Sequence, residues 1–161
     1  MTVVLAHLAR DEGLSPALTG QYLGIPGIGP PSYIPDKYRE LLLSREQNKH
    51  APMLPAAAID MFMQGYKPDA SDPLYNVLAA PGGHSQLPKT YFQINGLDPL
   101  RDEALIYEKI LREDNRTETR IDMYPGLPHA FFLSLPGLES TKLYREDQVK
   151  GFGWLLGRDN I

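Results

Sequence analysis

The segment Thr90-Tyr91-Phe92-Gln93-Ile94-Asn95-Gly96-Leu97-Asp98-Pro99-Leu100-Arg101-Asp102-Glu103 decides the fold. Its first six residues are dominated by β-branched and aromatic side chains, which predict a strand over 90–95 that ends at Gly96. Pro99 then falls in the first turn of a helix predicted over 99–114, where its missing N–H costs nothing. Asp102 and Glu103 stand near the positive end of that helix and read as complements of its dipole. Leu100, Ala104, Tyr107 and Leu111 recur at helical spacing and form its buried stripe. A strand that runs straight into a helix, with an acid at the joint, is half of a parallel α/β unit.

Downstream, Thr119 to Tyr124 alternates Ile121 and Met123 against Arg120, Asp122 and Tyr124, the pattern of a last or edge strand. It leads into Tyr124-Pro125-Gly126-Leu127-Pro128-His129-Ala130-Phe131, which carries His129 at 129 − 98 = 31 residues beyond Asp98. Ser140 is expected to cap a final helix with Val149, Phe152, Gly153 and Leu156 as its apolar stripe. Upstream, residues 2–12 predict a helix that faces the core with Leu5, Leu8 and Ala9 and stops at Gly13. No capping residue precedes it, so the sequence is expected to be cut from a longer one.

Leu18 to Ile25 predicts a short strand, punctuated by Pro26-Gly27-Ile28-Gly29-Pro30-Pro31. A helical excursion over 30–70 follows, with Tyr38, Leu41 and Leu42 after Pro35-Asp36, then Ile59, Phe62, Met63 and Tyr66 after Pro55. Residues 68–88 read as loop with one helical turn near Leu74 to Leu78. The expected architecture is α/β: a mostly parallel sheet of about three strands flanked by helices, with a helical insertion after the first strand. All 161 residues are expected to form one domain.

Composition narrows the function. A net charge of −4 and a pI near 5.5 provide no basic field for nucleic acid. The absence of cysteine excludes a thiolate nucleophile or thiolate metal site. His7, His50 and His84 have no acidic or histidine partners at ligand spacing, so neither metal nor cofactor is expected. The amino terminus lacks the basic segment and cleavage site of a secretory signal, and no apolar stretch is long enough to span a membrane; a cytoplasmic location is expected. Gly24-x-x-Gly27-x-Gly29 comes after a strand, but Pro30 and Pro31 remove the N–H groups that a phosphate cradle needs.

An acid after one strand and an imidazole after the next suit an acid that orients a general base. Asp98 before Pro99 is also a helix-opening pair, and the two roles are compatible. The nucleophile is missing. No G-x-S-x-G pentapeptide occurs in the chain; Gly83-His84-Ser85-Gln86-Leu87 comes nearest, fails at its last position and precedes a strand instead of trailing one.

Asp98-Pro99-Leu100-Arg101-Asp102-Glu103, Tyr124-x-Gly126-x-x-His129-x-Phe131, and Leu87-Pro88 before the first of them together resemble the carboxyl-terminal half of the α/β-hydrolase fold-3, or hormone-sensitive-lipase-like, esterases. The resemblance implies that Asp98 is the acid and His129 the base of a Ser-Asp-His triad acting on carboxylic esters, with elbow and oxyanion loop lying upstream of Met1. It also places residues 30–70 beside the substrate, which makes Phe62 and Met63 candidates for contact with a small hydrophobic ester. A second copy of the chain, or a complementing amino-terminal half, is the expected partner, since an absent neighbouring strand leaves a sheet edge bare. The alternative is a non-catalytic binding or interaction module built from the same fold.

Overall fold

The computed structural model describes residues 1–158. Its centre is a three-stranded, all-parallel sheet in the order β1 (Gln21–Gly24), β2 (Thr90–Leu97), β3 (Thr119–Pro128). Helix α1 (Thr2–Asp11) precedes β1. Between β1 and β2 lie two 3₁₀ turns (Pro31–Tyr33 and Asp36–Leu41), then α2 (Ser44–Gln47) and α3 (Ala56–Tyr66). A third 3₁₀ turn, Val77–Ala79, comes after them. Helix α4 (Arg101–Lys109) joins β2 to β3 and continues as a π turn over Ile110–Asp114. After β3 come α5 (Phe131–Ser134) and α6 (Glu139–Leu155).

The two faces of the sheet are unlike. Phe92 and Ile94 of β2 and Leu23 of β1 point into an apolar core closed by Val3 and Ala6 of α1, by Ala104 and Tyr107 of α4 and by Leu111 of the π turn. Alternation along the strand sends Tyr91, Gln93 and Asn95 to the opposite side. There α6 covers a polar network: Gln93 donates Nε2 to the Tyr124 hydroxyl (2.7 Å) and the Tyr144 carbonyl (2.8 Å), and its Oε1 accepts from Tyr22 (2.6 Å). Because every arm of Gln93 is bonded, its burial carries no unpaired polar group.

Several helices turn a different face inward from the one their sequence predicts. In α1 the buried residues are Val3, Ala6 and His7, whereas Leu5 and Leu8 are exposed. Side-chain ties fix this rotation: His7 Nε2 lies 3.0 Å from His84 Nδ1, and Arg10 donates to the carbonyls of Gly83 and Ser85. In α6 Leu138, not Ser140, occupies the cap position, and the buried set is Thr141, Tyr144, Gly151, Gly153 and Leu155. Val149, Phe152 and Leu156 are exposed, because Gly151 lies against the Tyr91 ring and lets that side of the helix approach the sheet. β1 starts at Gln21, not Leu18. Of the four apolar residues predicted to line α3, only Ile59 is buried.

Candidate active site

Parallel strands deliver their carboxyl ends to one rim, and Asp98 and His129 stand on that rim after β2 and β3. Asp98 is 2 % exposed and uses both carboxylate oxygens. Oδ1 accepts the Leu100 N–H at 2.9 Å and caps the turn that opens α4, while Oδ2 lies 2.7 Å from His129 Nδ1. Capping and partnership with the histidine therefore coexist in one side chain. The backbone around it is pinned as well: Asn48 Nδ2 donates to the Asp98 carbonyl at 3.0 Å, and Arg101 Nη1 to the Gly96 carbonyl at 3.0 Å.

His129 retains 24 % side-chain exposure. With Nδ1 donating to Asp98, the tautomer leaves Nε2 as an acceptor, and Nε2 has no hydrogen bond to the described residues. Its loop is anchored by aromatic packing: Phe131, two residues on, is fully buried against Tyr124, Phe132 and Tyr144. Ala130 adopts a left-handed φ of 54°, which turns the chain from β3 into α5 directly after the imidazole. An oriented, partly exposed imidazole with a free Nε2 can accept a proton from a hydroxyl and return it.

A cavity of about 720 Å³ has Leu100, two residues beyond Asp98, in its wall, while Asp98 and His129 themselves do not line it. Ile28, Pro31, Ile59, Met63 and Tyr75 give it an apolar lining. Met63 is among the residues that line this cavity, whereas Phe62 is 57 % exposed and is not part of the lining. The charged members of the wall include Arg45 and Asp60, paired at 2.6 Å.

Asp102 and Glu103 depart from the expectation that they only complement the α4 dipole. Both are buried. Asp102 Oδ2 accepts the N–H groups of Leu43 (2.8 Å) and Ser44 (2.6 Å), which docks α2 onto α4. Glu103 lines the cavity and accepts the Ile28 N–H at 3.3 Å; burial pushes its carboxyl up to about 7, against the opposing pull of that hydrogen bond. The spacing 100, 103, 104, 107 is as good a helical stripe as the one read from apolar residues alone, and it is the signal that places Glu103 inside.

Ser85 sits before the amino end of β2, so the strand's eight residues, roughly 25 Å, separate it from the rim that carries Asp98. His7 and His84 pair with each other, and no group of three or more metal-ligating side chains occurs among the described residues. No helix among them is long and apolar enough to cross a membrane.

The sequence profile described as the alpha/beta hydrolase fold matches residues 1–133. An AB hydrolase superfamily protein of Schizosaccharomyces pombe is 40% identical over 153 residues, 95% of this chain and 45% of that protein. Versiconal hemiacetal acetate esterase of Dothistroma septosporum is 33% identical over 152 residues, 94% of this chain and 46% of the esterase. Among solved structures, that of vibralactone cyclase superposes with a TM-score of 0.90 at 33% identity, covering 99% of this chain and 47% of the cyclase. A fungal esterase structure from Rhizomucor miehei shares the fold with a TM-score of 0.79 at 22% identity, over 99% of this chain and 49% of that one. The chain spans about half the length of the curated relatives it matches. With its parallel sheet and a matching profile over most of its length, the chain belongs to the α/β-hydrolase fold family, of the fold-3 type.

Proposed function

We propose that this chain supplies the acid and base of a Ser-Asp-His triad for the hydrolysis of small hydrophobic carboxylic esters. The observation that carries this reading is the 2.7 Å contact between Asp98 Oδ2 and His129 Nδ1. His129 Nε2 takes the proton of an attacking serine hydroxyl, the tetrahedral adduct collapses, and the same nitrogen protonates the departing alcohol. Water then releases the acid from the acyl-enzyme by the reverse proton route, while Asp98 holds the tautomer and stabilises the imidazolium. The serine and the oxyanion donors come from a segment outside these 161 residues, which contain no G-x-S-x-G.

The ester's apolar portion occupies the cavity beside Leu100, with Met63 in its wall and residues 30–70 acting as a cap over it, all within one domain. Versiconal hemiacetal acetate esterase is named for an acetate ester, which supports a short acyl group here. The absent pentapeptide favours a second reading, a non-catalytic binding module that keeps the cavity.

Hydrolysis of short-chain aryl esters separates the two. The chain alone is expected to be inactive, and mixing it with the part of the Schizosaccharomyces pombe relative that lies outside its match to this chain is expected to give turnover that His129→Ala and Asp98→Asn abolish. A stable complex of the two segments without turnover supports the binding module. Turnover by the isolated chain that survives His129→Ala overturns the triad.

A further inference from the structure

β2 and β3 pair residue for residue from Thr90↔Thr119 to Asn95↔Tyr124, and the next pairing is Leu97↔Pro128. β2 advances 97 − 95 = 2 residues over a span in which β3 advances 128 − 124 = 4. Two extra residues are thus forced out of the ladder immediately before His129. Such a bulge breaks the residue-for-residue register, and beyond it the ladder holds the strand only through the single pairing Leu97↔Pro128, so a further tie at this point bears on where the imidazole sits.

Asn95 bridges the interruption. Its cross-strand partner Tyr124 stands at the near end of the bulge, and its side-chain Nδ2 donates to the carbonyl of Pro128 at the far end, at 2.8 Å. The neighbouring Gly96 keeps the bulged backbone close: a Cβ there would lie 3.0 Å from Pro125 Cα and 3.1 Å from Gly126 N. Gly126, inside the bulge, takes a φ of +72°, a left-handed conformation that glycine adopts without steric cost.

The other end of the Asn95 carboxamide is unpaired. Asn95 is 0 % exposed, yet its Oδ1 is buried without a hydrogen-bond partner. Gln93, two residues earlier on the same face, has both ends of its amide bonded. An orphaned buried acceptor is a stability cost, and an apolar side chain of similar size would fill the space without it. The one interaction Asn95 gains for that cost is its grip on Pro128, the residue that carries His129.

We propose that Asn95 is a positioning residue: its carboxamide closes the β3 bulge and holds His129 where Nδ1 meets Asp98. Its consequence for catalysis rests on the triad reading above, but the contact itself is testable in this chain alone. In proton NMR, the imidazole Nδ1 proton of a histidine bonded to a carboxylate resonates far downfield, and His129→Ala identifies that signal.

The signal is expected in the wild-type chain and expected to be lost in Asn95→Ala and Asn95→Leu. Asn95→Leu is expected to melt no lower than wild type, since it removes the orphaned acceptor and fills the space; a purely packing role predicts an unchanged signal instead. A signal that persists at its wild-type position in a folded Asn95 variant overturns this proposal and leaves the triad standing. Loss of the signal only together with global unfolding of both variants makes Asn95 structural and overturns it too. An absent signal in the wild-type chain overturns the triad reading itself.

Discussion

Ser44 and Asp102 cap each other across two helices: Asp102 Oδ2 accepts the Ser44 N–H at 2.6 Å, and Ser44 Oγ accepts the Asp102 N–H at 3.1 Å. The same hydroxyl donates to the Pro99 carbonyl at 2.8 Å, directly beside Asp98. The amino end of α2, from the long β1–β2 connection, and that of α4, which directly follows the acid loop, are therefore welded at one buried point. Ser44→Ala is expected to cost about 1–2 kcal/mol in urea denaturation. Asp102→Ala strands two N–H groups and removes the partner of Arg101, so it is expected to cost more, about 2–3 kcal/mol. The double variant is expected to cost less than the sum, because each single change already breaks the shared bonds.

Glu103 makes folding depend on pH in the direction opposite to an ordinary surface carboxylate. Burial raises its folded-state pKa to about 7 from the ordinary 4.5, so the folded chain binds more protons than the unfolded one between those values. Stability contributed by the protonated group is complete below pH 4.5 and is lost as pH rises through 7. Glu103→Gln is expected to gain stability over wild type at pH 8 relative to pH 5, by up to about 3 kcal/mol. Denaturant midpoints of the two proteins at both pH values check this; a difference that does not vary with pH would contradict it.

The His7–His84 pair works from the acid side. Burial, the neighbouring His7 and Arg10 lower His84 to about 4, and burial also lowers His7. The unfolded chain takes up these protons first, so this contribution is intact above pH 6.5 and is lost as pH falls toward 4. His84→Gln is expected to flatten the loss of melting temperature between pH 6.5 and 4. A melting curve as steep as wild type over that interval would show that the pair does not control it.

Gly151 sets the distance between α6 and the sheet. A Cβ at this position overlaps the Tyr91 ring, whose hydroxyl is tied to Asp122 and the Asp147 carbonyl and has no room to withdraw. Gly151→Ala is therefore expected to destabilise by about 1–3 kcal/mol despite alanine's better helix propensity. Gly137, which meets nothing within 4 Å, is the control, and Gly137→Ala is expected to leave the thermal midpoint nearly unchanged.

The strand, acid loop, helix and histidine loop were legible because each is written in local chemistry. Thr90 to Asn95 is a strand on side-chain shape alone, and Asp98-Pro99 opens a helix whether or not a histidine awaits it. The rotations of α1 and α6 were not legible, since Leu5 and Val149 are no less apolar than Val3 and Leu155. Distant partners chose between equivalent faces: His84 for α1, and the Tyr91 ring beside Gly151 for α6. Glu103 was hidden for a related reason, because a charged side chain reads as solvated until another element is packed over it.

The sequence by itself determined an alternating α/β chain with an acid and an imidazole on successive strand-to-helix loops, because helix and strand periods and capping residues act over a few neighbours. Only the tertiary structure decided that Asp98 Oδ2 and His129 Nδ1 lie 2.7 Å apart, that Glu103 faces a cavity, and that Asn95 clasps Pro128 across a bulge. Those relations depend on strand register and on which helix face docks, and both are set by contacts between residues far apart in the chain.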